Sequence, residues 1–252
     1  MIVVNKTIAI KTKFAIIVAW WYYTQNINER QATIEGDENK HLCLVMRQKV
    51  GDKVVCFNGQ GTEAECEIES VSKNKTLLNV LKLTKHRQKT TQLVLAAAAI
   101  KGDRQDTLIR QATELGATKI VLTETDNSEV KLKGEKQEKI VRQLVACCKQ
   151  CHSPFLPEIE FGTIESVLTK CNNFVKIFGQ IGAKSSVLAQ DLEKIKNSNV
   201  IVFVGPEGGF TKTEEEKLQK SSAIGVSLGQ NILRADTAST MLVSLIKAIK
   251  QW

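Results

Sequence analysis

The run Val200-Ile201-Val202-Phe203-Val204 is β-branched or aromatic at every position, carries no charge, and passes without a spacer into Gly205-Pro206-Glu207-Gly208-Gly209. A strand with no polar alternation has no face to give to water, so it must be covered on both sides, the condition of a central strand in a parallel α/β sheet. The chain from residue 92 onward fits that architecture. Leu93 to Ile100 is a second apolar run. A helical pattern with apolar Leu108, Ile109, Ala112 and Leu115 follows and stops at Gly116, a left-handed C-cap. Then come a strand at Lys119 to Leu122, a polar loop, a helix from about Glu135 to Cys151 closed by Pro154 and Pro157, and a helix at Ile164 to Lys170. A strand at Phe174 to Phe178, a helix at Lys212 to Ser221, a strand at Gly225 to Leu228 and a closing helix from about Ala235 to Lys250 complete the series. Apolar runs alternating with amphipathic helices predict a parallel sheet with helices on its faces.

The preceding stretch has a different rhythm. From Trp21 to about Leu83 short segments alternate polar with apolar residues, as in Thr62-Glu63-Ala64-Glu65-Cys66-Glu67-Ile68, with turn signals at Gly51-Asp52 and Asn58-Gly59. This predicts a small β-barrel over 21–84, interrupted by one helix from about Glu38 to Met46 and closed by a strand at Leu77 to Leu81. The basic stretch Thr84 to Thr91 reads as a linker to a second domain at 92–252. Residues 1–20 read as an extension or a misplaced start. Lys6, Lys11 and Lys13 followed by an apolar run imitate a signal peptide, but Trp20, Trp21, Tyr22 and Tyr23 stand where a small-residue cleavage site belongs. No apolar run is long enough to span a bilayer, so no membrane partner is expected.

Composition narrows the partners. Lysine and arginine outnumber aspartate and glutamate 35 to 27, a net charge of +8 spread along the chain, which favours a polyanion bound by a folded basic face. Seven cysteines form an odd set without a disulfide framework and fit a reducing, cytoplasmic setting.

Two segments carry the chemistry. Gly205 to Gly209 follows the central strand and precedes a helix that opens with the capping-box pattern Thr211-Lys212-Thr213-Glu214. Glycines at 205, 208 and 209 permit positive φ and leave backbone N–H groups uncovered, while Pro206 fixes the turn. A tight strand-to-helix turn would read the same way. The Gly-Lys-Ser/Thr of a P-loop and the Gly-x-Gly-x-x-Gly of a dinucleotide fold are both missing. The second segment, Leu228-Gly229-Gln230-Asn231-Ile232-Leu233-Arg234, joins the last strand to the last helix. Leu228, Ile232 and Leu233 would give apolar walls, Gly229 close approach and Arg234 a fixed charge at the rim. Both loops leave the same edge of a parallel sheet and could shape one pocket.

Four blocks, Lys101-Gly102-Asp103-Arg104, Ala112-Thr113-Glu114-Leu115-Gly116, Gly205 to Phe210 and Leu228 to Ala238, resemble in order and spacing the RsmE family of 16S ribosomal RNA uridine-N3 methyltransferases. The resemblance covers roughly residues 21–250 and implies a PUA-like β-barrel followed by a SPOUT domain, a homodimer, and a trefoil knot that holds S-adenosylmethionine. Carried over by residue, it implies cofactor contacts from Gly205, Pro206, Glu207, Gly208, Gly209, Leu228, Gly229, Ile232, Leu233 and Arg234, with Phe178-Gly179 as a third wall. Two positions where the family often has arginine hold Asn127 and His152-Ser153, and Asp236 stands where glutamate is usual.

Methyl transfer to uridine N3 displaces a proton. Arg234 is expected to stabilise the developing uridine anion, and Asp236 or Glu207 to take or relay the proton. Arg47, Lys101 and Arg104 are expected to contact RNA phosphates, of 16S ribosomal RNA or of the small subunit. An RNA-binding protein that kept the fold and lost catalysis is the alternative. Cys148-Lys149-Gln150-Cys151-His152 matches a haem-attachment pattern but falls at the end of a helix in an α/β domain, so neither haem nor a metal is expected.

Overall fold

The computed structural model describes residues 20–128, 130, 137–183 and 189–250. They form two compact units, one of residues up to Gln88 together with Cys148–Phe155, the other of Lys89–Cys147 and Leu156 onward. None of the described helices is long and apolar enough to cross a membrane.

The first unit is a mixed five-stranded sheet built from β1 (Trp20–Tyr23), β2 (Gln31–Glu35), β3 (Lys53–Phe57), β4 (Thr62–Val71) and β5 (Lys75–Lys85), in the order β1-β3-β4-β5-β2. Only β1 and β3 run parallel. The alternation read in β4 sorts as expected: Ala64, Cys66 and Ile68 enter a core with Tyr22, Ile34, Leu42, Val54 and Leu78, while the glutamates between them stay outside it. Helix α1 (Gly36–Lys40) continues as a π-helical turn over His41–Val45, so the predicted helix starts two residues earlier than its pattern suggested. Two further boundaries move. The first strand takes in Trp20, which the sequence reading left in the extension, and β5 runs on to Lys85, claiming the first two residues of the presumed linker. The cause is non-local: Trp20 pairs with Val54, and Thr84 and Lys85 pair with Glu63 and Thr62 of the long β4. Within this unit Gly61 N–H donates to the Pro154 carbonyl at 3.0 Å, and the Trp21 ring stacks on His152 at 5.0 Å.

The second unit is a parallel six-stranded sheet in the order β11-β9-β10-β6-β7-β8. Its strands are β6 (Leu93–Ala98), β7 (Lys119–Glu124), β8 (Glu158–Thr163), β9 (Val175–Gly179), β10 (Val200–Val204) and β11 (Ile224–Val226). The helices are α2 (Asp103–Glu114), α3 (Gln137–Cys151), α4 (Ile164–Lys170), α5 (Ala189–Asn197), α6 (Lys212–Lys220) and α7 (Ala235–Lys250). Each residue of β6 and β10 is buried, and alternation divides them between two cores. Val200, Val202 and Val204 join Leu93, Leu95 and Ala97 in a core with residues of α2, α3, α5 and α7. Ile201 and Phe203 join Val94, Ala96 and Phe178 in the other, with Ile164 and Val167 of α4 and Leu218 of α6. A strand covered on both sides is what the charge-free sequence of β10 requires.

Two elements escaped the sequence reading. Strand β8 is an edge strand with no fully buried residue, and Lys119 of β7 reaches its Glu158 and Glu160 at 3.4 and 2.5 Å. Burial opposes the charge on Lys119, but the two carboxylates outweigh it and hold the ammonium above its usual range. Helix α5 contributes Ile195 to the core, too little to show as a period.

Candidate cofactor site

Strands β11, β9 and β10 are neighbours and parallel, so the segments that follow them open on one edge of the sheet. Together they enclose a cavity of about 500 Å³, inside the range of about 300–1,000 Å³ common for small-molecule sites. One wall is Gly205, Pro206, Gly208, Gly209 and Phe210, after β10; the second is Leu228 to Leu233, after β11. Gly179, Gln180, Ile181 and Gly182, after β9, form the third, and Ala235 and Ala238 of α7 also line the space. The lining mixes apolar side chains with exposed backbone and a few polar groups, among them Glu215, whose carboxylate accepts a 3.1 Å hydrogen bond from Gln180 Nε2.

The glycine loop is a turn closed by a hydrogen bond from Gly209 N–H to the Pro206 carbonyl at 2.9 Å. Its three glycines serve different ends. Gly209 has φ +71, which favours glycine. Gly205 does not have positive φ; a Cβ there would lie 3.1 Å from Phe210 N and 3.2 Å from Gly209 C, backbone atoms that cannot swing aside. Gly208, also at negative φ, packs against Asn127, whose Cβ would be 3.4 Å from an added methyl. Of the three glycines that permit positive φ, only Gly209 uses it.

Of the residues singled out in the sequence, the cavity wall brings together Gly179, Gly205, Pro206, Gly208, Gly209, Leu228, Gly229, Ile232 and Leu233. Phe178 lies off it. Its ring is fully buried in the core and meets Phe210, which does line the cavity, edge-on at 6.5 Å. Glu207 and Arg234 also lie off the wall, both exposed. The Glu207 carboxylate is engaged by Arg104 at 2.7 Å, which joins two residues given separate tasks. That ion pair spans the neighbouring ends of β6 and β10, where the order of strands reverses and α/β sheets commonly bind ligands; the cavity lies to one side, over β10, β9 and β11. Asp236, in the first turn of α7, has its Oδ1 buried with no hydrogen-bond partner among the described residues. Arg47 is exposed at φ +53 in the first unit, and Lys101 is exposed just before α2.

Sequence reasoning missed the groups that hold the glycine loop. Asn127, in the loop after β7, donates from Nδ2 to the carbonyls of Gly209 at 3.0 Å and Gly208 at 3.4 Å. Beside it, Asp126 N–H donates to Oε1 of the buried Glu214 at 3.0 Å, and Thr211 N–H donates to Oε2 at 2.8 Å, completing the capping box the sequence announced. The contacts of Asn127 and of Asp126 join residues 81 or more positions apart, so spacing along the chain gives no sign of them.

Residues 87–247 match the RNA methyltransferase domain family, and residues 34–83 match the RNA methyltransferase PUA domain. Ribosomal RNA small subunit methyltransferase E of Rickettsia conorii is 30% identical over 219 residues, 86% of this chain and 89% of that protein. The chain belongs to the ribosomal RNA small subunit methyltransferase E family. The Bacillus subtilis member is 29% identical over 232 residues, covering 85% of this chain and 88% of its own. The Neisseria gonorrhoeae member, solved bound to S-adenosyl methionine, superposes with a TM-score of 0.81 at 21% identity, over 92% of this chain and 98% of that one. The fold is thus the family's, a PUA-like domain followed by a SPOUT-type parallel sheet.

Proposed function

We propose that the chain is an S-adenosylmethionine-dependent methyltransferase acting on N3 of a uridine in 16S ribosomal RNA of the small subunit. The observation that carries this reading is the cavity at the ends of β9, β10 and β11, built from the glycine loop and the Leu228–Leu233 segment inside the family-matching domain. Its residues fit the group. The cavity has room for a nucleoside with an amino-acid tail, apolar Leu228, Ile232 and Leu233 suit an adenine, and the uncovered backbone of Gly205 to Gly209 suits polar atoms that approach closely. S-adenosylmethionine supplies an electrophilic methyl carbon, so the protein's task is alignment and exclusion of water.

The proton on uridine N3 needs an acceptor. Asp236 is assigned that role at Oδ1, an oxygen that is buried with no hydrogen-bond partner among the described residues. Glu207, whose carboxylate is engaged by Arg104, is the alternative acceptor or relay. Arg234, exposed at the rim, stabilises negative charge as it develops on the uracil. A paired uridine hides N3, so the target is unpaired or extruded. Arg47, Lys101 and Arg104 hold the RNA backbone, in keeping with the net charge of +8. A homodimer with a C-terminal trefoil knot is expected from the family. Placement of β11 beside β9, which requires the chain to pass back from β10, supports the knot. Seven cysteines, an odd number without a disulfide framework in their spacing, support a cytoplasmic setting.

The test is reverse-transcription mapping of small-subunit ribosomal RNA from a strain lacking the gene. Loss of one N3-methyluridine stop, restored by the wild-type gene and not by Arg234→Ala, is the expected result. An unchanged stop pattern in the deletion strain would leave the protein an RNA binder without this activity.

A further inference from the structure

Asn127 takes no part in the chemistry assigned above, yet it is the side chain that ties the loop after β7 to the glycine loop. Its Nδ2 donates to the Gly209 carbonyl at 3.0 Å and to the Gly208 carbonyl at 3.4 Å, and a Cβ built at Gly208 would meet its Cβ and amide at 3.4–3.6 Å, in van der Waals contact. The contact is reinforced from both sides. Asp126 N–H is fixed by the buried carboxylate of Glu214, which also holds Thr211 N–H at the other end of the glycine loop. The glycine loop is thereby held at two places, through its carbonyls by Asn127 and at its exit by Glu214.

This matters because peptide groups are rigid. Fixing the carbonyl direction of Gly208 and Gly209 fixes the plane of each following peptide, and with it the aim of the N–H groups of Gly209 and Phe210. Glycines impose no such restraint themselves; a turn containing Gly208 and Gly209 has wide backbone freedom unless something outside it chooses one conformation. Gly205, Pro206, Gly208 and Gly209 all line the cavity, so the choice made by Asn127 is felt at its wall.

We propose that Asn127 is a positioning residue for the cofactor loop: its amide pre-orders the Gly205–Gly209 turn for S-adenosylmethionine and couples that turn to the loop after β7. The inference rests on the reading of the cavity as the cofactor site. Coupling of this kind is reciprocal, so a ligand that draws on the Thr125–Ser128 loop alters affinity for the cofactor, and the cofactor alters affinity for that ligand by the same factor.

Calorimetric titration of S-adenosylmethionine into the purified full chain, with the melting temperature of each free variant recorded, decides the matter. Asn127→Asp keeps the shape but replaces the donor by a carboxylate facing two carbonyl oxygens; the expected result is affinity about 10-fold weaker, and about 5-fold weaker for Asn127→Ala, with melting temperatures near wild type. Asn127→Gln keeps the donor and is expected within about 3-fold of wild type. Wild-type affinity in Asn127→Asp, or equal losses in Asp and Gln variants, would overturn the positioning role while leaving the cofactor site standing. Failure of the wild-type chain to bind S-adenosylmethionine would overturn the reading of the site itself.

Discussion

The edge of the parallel sheet carries two cavities of unlike character. Over β9, β10 and β11 the cavity is lined by glycines, leucines and backbone. Over β7 and β8 a cavity of about 370 Å³ is lined by Glu124, Asp126, Glu165, Glu214 and Lys217 among others, and there the protein meets its own polar needs. Glu214 takes two backbone N–H groups, and Lys217 pairs with Glu165, a contact that holds the Glu165 carboxyl below the usual range with help from its own backbone N–H. The contrast separates a region held together by charged side chains from one lined mainly by apolar side chains and backbone. The first serves the second, because it supplies the contacts that hold the glycine loop in shape.

Substitutions on the two sides should therefore fail in different ways. The largest effect is expected from Gly205→Ala, whose Cβ would press on backbone at 3.1 and 3.2 Å. The turn must move, and calorimetry should read about 100-fold weaker cofactor binding. Near wild-type affinity would mean that the loop's conformation does not matter to the site. Next is Glu214→Ala, which removes a carboxylate only 4% exposed and strands the N–H groups of Asp126 and Thr211. A loss of about 2 kcal/mol in unfolding free energy is expected, seen as a melting temperature lower by about 4–8 °C. If stability were untouched and only binding fell, the division between the two regions would be wrong.

The smallest effect concerns pH. The Glu165 carboxyl titrates lower in the folded chain than in the unfolded one, so its contribution is full above the unfolded value of about 4.3 and is lost as pH falls through the folded value. Glu165→Gln should be less stable than wild type at neutral pH, and the gap should close under acid and narrow in high salt, since the pair is exposed. A gap that widened on acidification would reverse the sign of the argument.

Legibility in the sequence followed how local each cause was. Strand β10 and the glycine loop could be read because five consecutive residues without charge and a cluster of glycines act over a few positions. Alternation in β4 revealed its inward face for the same reason. Strand β8 could not be read, because Glu158 and Glu160 are explained by Lys119, some forty residues away, and not by anything beside them. At the site, the walls were legible and their fastening was not. Nothing near Glu207 announces Arg104, and nothing near Asn127 announces Gly208 and Gly209, because folding alone brings these partners together.

The three walls of the cavity are spread along the chain, at residues 179–182, 204–206 with 208–210, and 227–233, with two alanines of α7 beyond them. During synthesis the ribosome delivers them in that order, and until residue 227 is made the nascent chain has two walls at most. The last wall arrives with the final short strand, only a helix's length before residue 250. A chain that stops short of β11 therefore lacks one wall of the cavity. Closure of the cavity waits on β11, the last strand of the sheet, and on the docking of α7 behind it.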